Sequence, residues 1–138
     1  VSASHGHEGD TLTAVDDGIL PKNSGDHAAK RMTWWPNKGS SEWLQYDFAQ
    51  PETIKSCAVY WFDDTGKGSC RVPASWKIQT QDAAGNWSDV PAVYPVTQDT
   101  LCTATFEKPV TTRALRLAVQ LQPNVSGGVL EWQVHPVR

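Results

Sequence analysis

Apolar and polar positions alternate with period two along much of this chain, and the alternating runs are separated by clusters of Gly, Pro, Asn and Asp. Successive side chains of an extended strand point to opposite faces, so this alternation predicts half-buried strands. The clearest run over 42–48, 53–62, 75–81, 101–106, 113–120 and 129–136. In the second, Cys57, Val59 and Trp61 share one face; in the fifth, Leu115, Leu117 and Val119 do, with Arg116 and Gln120 facing away. Residues 82–87, Asp-Ala-Ala-Gly-Asn-Trp, read as a hairpin turn in which Gly85 and Asn86 tolerate positive φ. Helix signals are nearly absent. Several short strands at this spacing predict an all-β sandwich or jelly roll. No internal repeat or linker breaks the pattern, so 1–138 reads as a single domain.

Two segments interrupt the alternation. Residues 18–41 carry Asp26, His27, Arg31, Trp34 and Trp35, and residues 62–73 carry Asp63, Asp64, Lys67, Cys70 and Arg71. Long irregular segments in compact domains are usually functional or disordered. The aromatic and charged content of these two argues against disorder.

Composition narrows the classes. Seven tryptophans among 138 residues supply core bulk, each aromatic burying about 150–250 Å². Net charge is −3, with Lys and Arg scattered rather than striped, which argues against nucleic acid or an anionic membrane as partner. No apolar run reaches the roughly 20 residues of a membrane-spanning helix. Residues 1–9 lack the charged and apolar regions of a signal peptide, so the chain reads as an excised mature domain. Three cysteines, Cys57, Cys70 and Cys102, allow at most one internal disulfide. They show no zinc spacing and read equally as buried apolar thiols.

The order of the pieces resembles the discoidin, or factor V/VIII type C, superfamily of galactose-binding-like domains. The matching stretches are Val1-Ser2-Ala3-Ser4, Ala14-Val15-Asp16-Asp17-Gly18, Glu42-Trp43-Leu44-Gln45-Tyr46-Asp47-Phe48, Ser75-Trp76-Lys77-Ile78, Gly85-Asn86-Trp87, Ala114-Leu115-Arg116-Leu117 and Leu130-Glu131-Trp132-Gln133-Val134. They cover nearly the whole chain and imply a discoidin-like jelly-roll β-sandwich. A narrower likeness lies in Trp34-Trp35-Pro36, Tyr60-Trp61-Phe62-Asp63-Asp64-Thr65-Gly66 and Cys70-Arg71-Val72-Pro73-Ala74-Ser75-Trp76. It resembles modules appended to bacterial β-L-arabinofuranosidase-type glycoside hydrolases. That resemblance implies a bacterial secreted, periplasmic or cell-surface setting, a parent glycoside hydrolase in the same chain, and a plant-type glycan containing arabinose or galactose.

A sugar site needs an apolar platform for the C–H face of a ring and a few polar groups for its hydroxyls. The two irregular segments supply both. Trp34 and Trp35 are adjacent, so in an extended segment one faces in and one out, and either is the platform or both serve packing. His27 and Arg71 fit the histidine–arginine pair of related modules, with Arg31 nearby. Arg71 reads alternatively as an ion-pair partner of Asp63 or Asp64, and His27 as a loop residue making one structural hydrogen bond. Asp63 and Asp64 either accept hydroxyl protons or cap their Asp-Asp-Thr-Gly turn. Trp43, Trp76, Trp87 and Trp132 read as core; Trp61 is ambiguous.

The resemblance also implies a structural calcium or sodium ion between an early Asp-Gly turn and a late glutamate. Asp17 and Glu131 match those positions, with the carbonyls of Ala14, Ile19 and Leu130 as companions. Ile19 departs from the family's asparagine, and Ser24 or Asp26 is a substitute ligand. His5-Gly6-His7-Glu8 reads as a solvated segment, and Gly66-Lys67-Gly68-Ser69 precedes no helix, so it is no phosphate loop. No organic cofactor is expected.

Catalysis finds no support. Asp63 and Asp64 are neighbours, whereas glycosidases oppose two carboxylates about 5–10 Å apart across the bond. No Gly-x-Ser-x-Gly elbow and no Ser/His/Asp or Cys/His set can be named. The leading expectation is a non-catalytic carbohydrate-binding module that tethers its enzyme to polysaccharide. The alternatives are an accessory domain packed on its parent enzyme with no ligand of its own, or a protein or lipid binder.

Overall fold

A computed structural model describes residues Val1–Val137. Its strands are β1 (Ser2–Ala3), β2 (Met32–Thr33), β3 (Ser41–Phe62), β4 (Ser75–Gln81), β5 (Trp87–Asp89), β6 (Leu101–Gln120) and β7 (Gly128–Pro136), with a 3-10 turn at Leu12–Asp16. All strand pairings are antiparallel. Among the described residues no helix is long and apolar enough to cross a membrane.

The runs 42–48 and 53–62 are one strand, β3, and 101–106 and 113–120 are one strand, β6. The β3–β6 ladder slips between Asp47 and Glu52 and again between Ile54 and Ser56. Such irregularities bend strands, and the two bent strands pass from one layer of the sandwich to the other. In the first layer β3 from Ser41 to Asp47 lies between β1 and the second half of β6, followed by β4 and β5. In the second, β3 from Ile54 to Phe62 lies between β7, with β2 beyond it, and the first half of β6.

The inward faces are those that period-two alternation predicts. Cys57, Val59 and Trp61 from one layer, and Leu115, Leu117 and Val119 from the other, are buried in one core with Trp34, Trp76 and Trp132. Trp61 meets Trp76 edge-on, with ring centres 5.7 Å apart. Trp132 stacks on Tyr46 at 4.0 Å, and the Tyr46 hydroxyl donates to the Trp132 carbonyl (2.7 Å).

Trp43 and Trp87, expected in the core, lie instead on the outer face of the first layer. Leu44 takes the inward position, which turns Trp43 outward. There the Arg116 guanidinium lies 4.2 Å from the centres of both rings, while its Nε and Nη2 donate to Gln45 Oε1 at 3.2 and 2.7 Å. A bulky ring need not seek the core when a cation on the neighbouring strand stacks against it.

From Ser56 to Phe62, β3 is buried on both faces, so alternation fails there. Tyr60, Phe62, Leu130 and Cys70 form a satellite cluster beneath the two irregular segments, with Trp35 and Ala29 packed on it. All three cysteines are free and buried. Burial pushes the thiols of Cys57 and Cys70 up to about 12, far from the reactive thiolate range.

Candidate functional site

The irregular segments are held to the sandwich by specific bonds. Ser24 is buried, and it and Asp99 exchange two: the Ser24 N–H donates to Asp99 Oδ1 (2.9 Å) and the Asp99 N–H to Ser24 Oγ (2.8 Å). Asp26 accepts from the N–H groups of Lys22 (3.0 Å) and Ala28 (3.1 Å), which fixes the turn that carries His27. In the second segment Asp64 Oδ1 accepts from the Cys70 N–H (2.8 Å), and the Ser126 N–H donates to the Ser69 carbonyl (2.8 Å). The N-terminal segment closes the third side, its His7 and Thr11 N–H groups donating to the carbonyls of Thr33 (3.1 Å) and Arg31 (3.0 Å).

Between these three segments lies a cleft of about 190 Å³ lined by Arg31, Trp35, Phe62, His7, Asp10 and Asp64, with Ser69 and Cys70 at its edge. The Arg31 guanidinium sits 4.6 Å from the centre of the Phe62 ring. It donates to no acceptor among the described residues, unlike Arg71, Arg113 and Arg116. Asp10 is anchored by one oxygen: Oδ2 accepts from the Thr33 N–H (2.8 Å) and hydroxyl, leaving Oδ1 without a donor among the described residues. The Trp35 ring is half-buried, with the Lys38 ammonium 5.0 Å from its centre and the His5 ring donating to its carbonyl (3.0 Å). The cleft thus offers apolar ring surface, one unpaired fork of donors and free carboxylate oxygen.

The residues singled out in the sequence divide. Arg31, Trp35 and Asp64 line the cleft. His27 is exposed beside it, edge-on to Phe62 at 5.6 Å, with Nδ1 donating to the Gly25 carbonyl (2.8 Å). Trp34 is 0% exposed and donates from its indole to the Trp43 carbonyl (3.4 Å), so it is core and no stacking platform. Asp63 is buried and spent: Oδ1 accepts from the Thr65 N–H and hydroxyl, Oδ2 from the Val72 N–H (3.0 Å). It is the structural cap of its turn. Arg71 is turned onto its own loop, donating to the carbonyls of Gly68 and Cys70 (both 2.8 Å), 3.6 Å from Asp64 Oδ1. The sequence does not single out His7, Asp10 or Phe62 as site residues; His7 belongs to the stretch that reads as a solvated segment, and the structure places it on the cleft.

Among the described residues, two other depressions each exceed 500 Å³. One, about 510 Å³, lies on the outer face of the first layer, where Arg116, Gln79, Lys77 and Gln120 already bond to neighbouring protein groups. The other, about 590 Å³, borders Glu131 and Gly18.

A family model described as NedA-like, galactose-binding domain, of the F5/F8 type C class, matches residues 22–117. The chain belongs to this galactose-binding domain family. Domains of this kind are generally non-catalytic. Solved structures agree on the fold. A structure from the Streptococcus pneumoniae β-galactosidase BgaA is 16% identical with a TM-score of 0.77, covering 99% of this chain and 96% of that one. The family 32 carbohydrate-binding module of C. perfringens NanJ, solved with galactose, is 14% identical with a TM-score of 0.66, covering 96% and 90%. A CBM32 module from a family 31 glycoside hydrolase of Clostridium perfringens is 11% identical with a TM-score of 0.70, covering 99% and 89%. The F5/8 type C, all-β reading of the sequence stands on these findings.

In this galactose-binding domain the corner between the 3-10 turn and β7 holds Glu131, which is 2% exposed and whose Oε1 has no hydrogen-bond partner among the described residues. The β3–β7 register slips between Tyr60, opposite Glu131, and Trp61, opposite Val129, so Leu130 is an extra residue in the ladder. Burial, then the charge of Asp17, push the Glu131 carboxyl up to about 7, against a hydrogen bond from the Gly18 backbone. Asp17 Oδ1 accepts from the Ile19 N–H (2.9 Å), and the exposed Ile19 side chain offers no ligand. Ser24 and Asp26 are committed to Asp99 and to Lys22 and Ala28, not to this corner. Among the described residues no three His, Cys, Asp or Glu side chains gather to hold a metal. An orphaned buried carboxylate oxygen beside a second carboxylate is nonetheless a donor set that fits a hard cation completed by carbonyls.

Proposed function

We propose that this domain is a non-catalytic carbohydrate-binding module whose site is the cleft under Arg31. The unpaired Arg31 guanidinium carries the reading. A charged fork held by an aromatic ring, with no acceptor among the described residues, is set to donate to ligand hydroxyls. Asp10 and Asp64 supply acceptors, and Trp35 with Phe62 supplies the apolar wall against which a ring's C–H face packs. Few contacts imply weak affinity, about micromolar to millimolar. Tethering then does the useful work, since a module on the polymer raises the effective concentration of an attached enzyme.

The finer reading is that the glycan is plant-type, containing arabinose or galactose, and that the chain travels secreted, periplasmic or cell-surface with a parent glycoside hydrolase. The galactose bound by the NanJ module, and the sequence likeness to arabinofuranosidase-type appendages, support it. We further propose that Glu131, Asp17 and the carbonyls of Ala14, Ile19 and Leu130 hold a structural calcium or sodium ion, which would neutralise the buried carboxylate and pin the loop after the 3-10 turn. It would take no part in chemistry.

Affinity electrophoresis tests the function. Migration of the domain slows in gels containing arabinan or galactan, and Arg31→Ala restores free mobility. Unretarded migration of the wild-type domain through every polysaccharide tried would favour an accessory domain packed on its parent enzyme.

A further inference from the structure

Arg31 and Asp10 do not end the cleft. They also line a second hollow of about 210 Å³, whose other residues include His27, Lys30 and Thr11. The two hollows adjoin: the same two residues line both, and His27 of the second meets Phe62 of the first at 5.6 Å. Each alone is smaller than the roughly 300–1,000 Å³ of ordinary small-molecule sites, and the pair together falls within that range.

We propose that the site holds a terminal disaccharide, one sugar in each hollow, with Arg31 and Asp10 reading the linkage between them. This rests on the carbohydrate-binding reading above and deepens it. A guanidinium has five donors in one plane, more than the edge of a single ring uses, and a fork on a shared wall serves hydroxyls on both sides. Asp10 keeps Oδ1 free while Thr33 fixes Oδ2, so its acceptor also stands on that wall. The second hollow is built in advance. Asp26 fixes its turn, and the Gly25 carbonyl engages His27 Nδ1, which leaves Nε2 for a hydroxyl. Ala28 and Ala29 leave the space that a ring fills. Trp35 and Phe62 serve the first sugar, His27 and Lys30 the second.

Calorimetric titration with D-galactose, L-arabinose, galactobiose and arabinobiose tests this. For the recognised sugar, the disaccharide binds at least about tenfold more tightly than its monosaccharide, the gain expected from one or two added hydrogen bonds to charged groups. His27→Ala, an exposed substitution, cuts that advantage to about threefold or less, and Ala28→Tyr, which fills the second hollow, removes it. Disaccharide and monosaccharide constants within about twofold of each other, or an advantage that survives both substitutions, would overturn the proposal while leaving the first hollow as a monosaccharide site. Absence of binding by all four sugars would instead sink the carbohydrate reading, and this inference with it.

Discussion

The Arg31 guanidinium lies against the Phe62 ring, 4.6 Å from its centre, without an acceptor among the described residues. Such a contact contributes about 0.5–2 kcal/mol, less than the hydrogen bonds the fork makes once a ligand arrives. Arg31→Ala is therefore expected to raise the Kd for bound sugar at least about tenfold, since hydrogen bonds to charged groups are worth about 1.5–3 kcal/mol each. Its melting temperature should fall by only a few degrees, with the fold intact. Arg31→Lys, which keeps the charge and loses the planar fork, should recover only part of the affinity.

Adjacent tryptophans separate packing from recognition. Trp34→Ala empties a site in the middle of the core and should cost about 3–5 kcal/mol in denaturant unfolding. Trp35→Ala should remain folded and bind sugar poorly. The two variants, compared by urea titration and calorimetry, are expected to fail in opposite assays.

Gly68 lies against the Asp64 carboxylate so closely that a Cβ there would collide with it. Gly68→Ala should push Asp64 off the bond it accepts from Cys70 (2.8 Å) and disturb the cleft wall. The expected result is weaker sugar binding with only a small loss of stability, read by calorimetry and thermal melting.

Glu131 makes the metal-free domain sensitive to pH. Its carboxyl titrates near 7 in the fold against an ordinary 4.5, so the folded state holds a proton that the unfolded chain has released between those values. Stability should fall as pH rises from about 4.5 to 7 in chelator and level off above. Calcium should reverse the loss at pH 7 by favouring the ionised carboxylate. Glu131→Gln should flatten both responses in melts recorded with and without the ion.

Asp63 caps its turn with both oxygens, and its value is structural. Asp63→Ala leaves the Thr65 and Val72 N–H groups without their partner. It should cost about 1–3 kcal/mol in urea unfolding, the usual penalty for unsatisfied partly buried donors.

The layers of the sandwich were legible because Cys57, Val59 and Trp61, or Leu115, Leu117 and Val119, repeat at the strand period. The full length of β3 and β6 was not, since polar, proline-bearing stretches at their bends read as turns: Pro51 lies within β3 and Pro109 within β6. Trp43 and Trp87 misled through bulk alone; their stacking on Arg116 depends on a register that no local pattern carries. At the site, residues 18–41 and 62–73 were identifiable as the loops that matter, yet not which side chains stay free. Arg71 and Asp63 are consumed by their own turns. His7 joins the cleft through its N–H on the Thr33 carbonyl, and Asp10 through its carboxylate on the Thr33 N–H and hydroxyl, long-range bonds that leave no mark on the sequence.

The most direct test of the central claim is an amide and indole chemical-shift titration of the domain with galactose and with arabinose. Shifts that saturate and cluster at His7, Asp10, Arg31, Trp35 and Phe62 are the predicted result. Shifts that gather instead around Trp43, Lys77 and Arg116, or none with either sugar at millimolar concentration, would contradict the assignment of the cleft under Arg31 as the binding site.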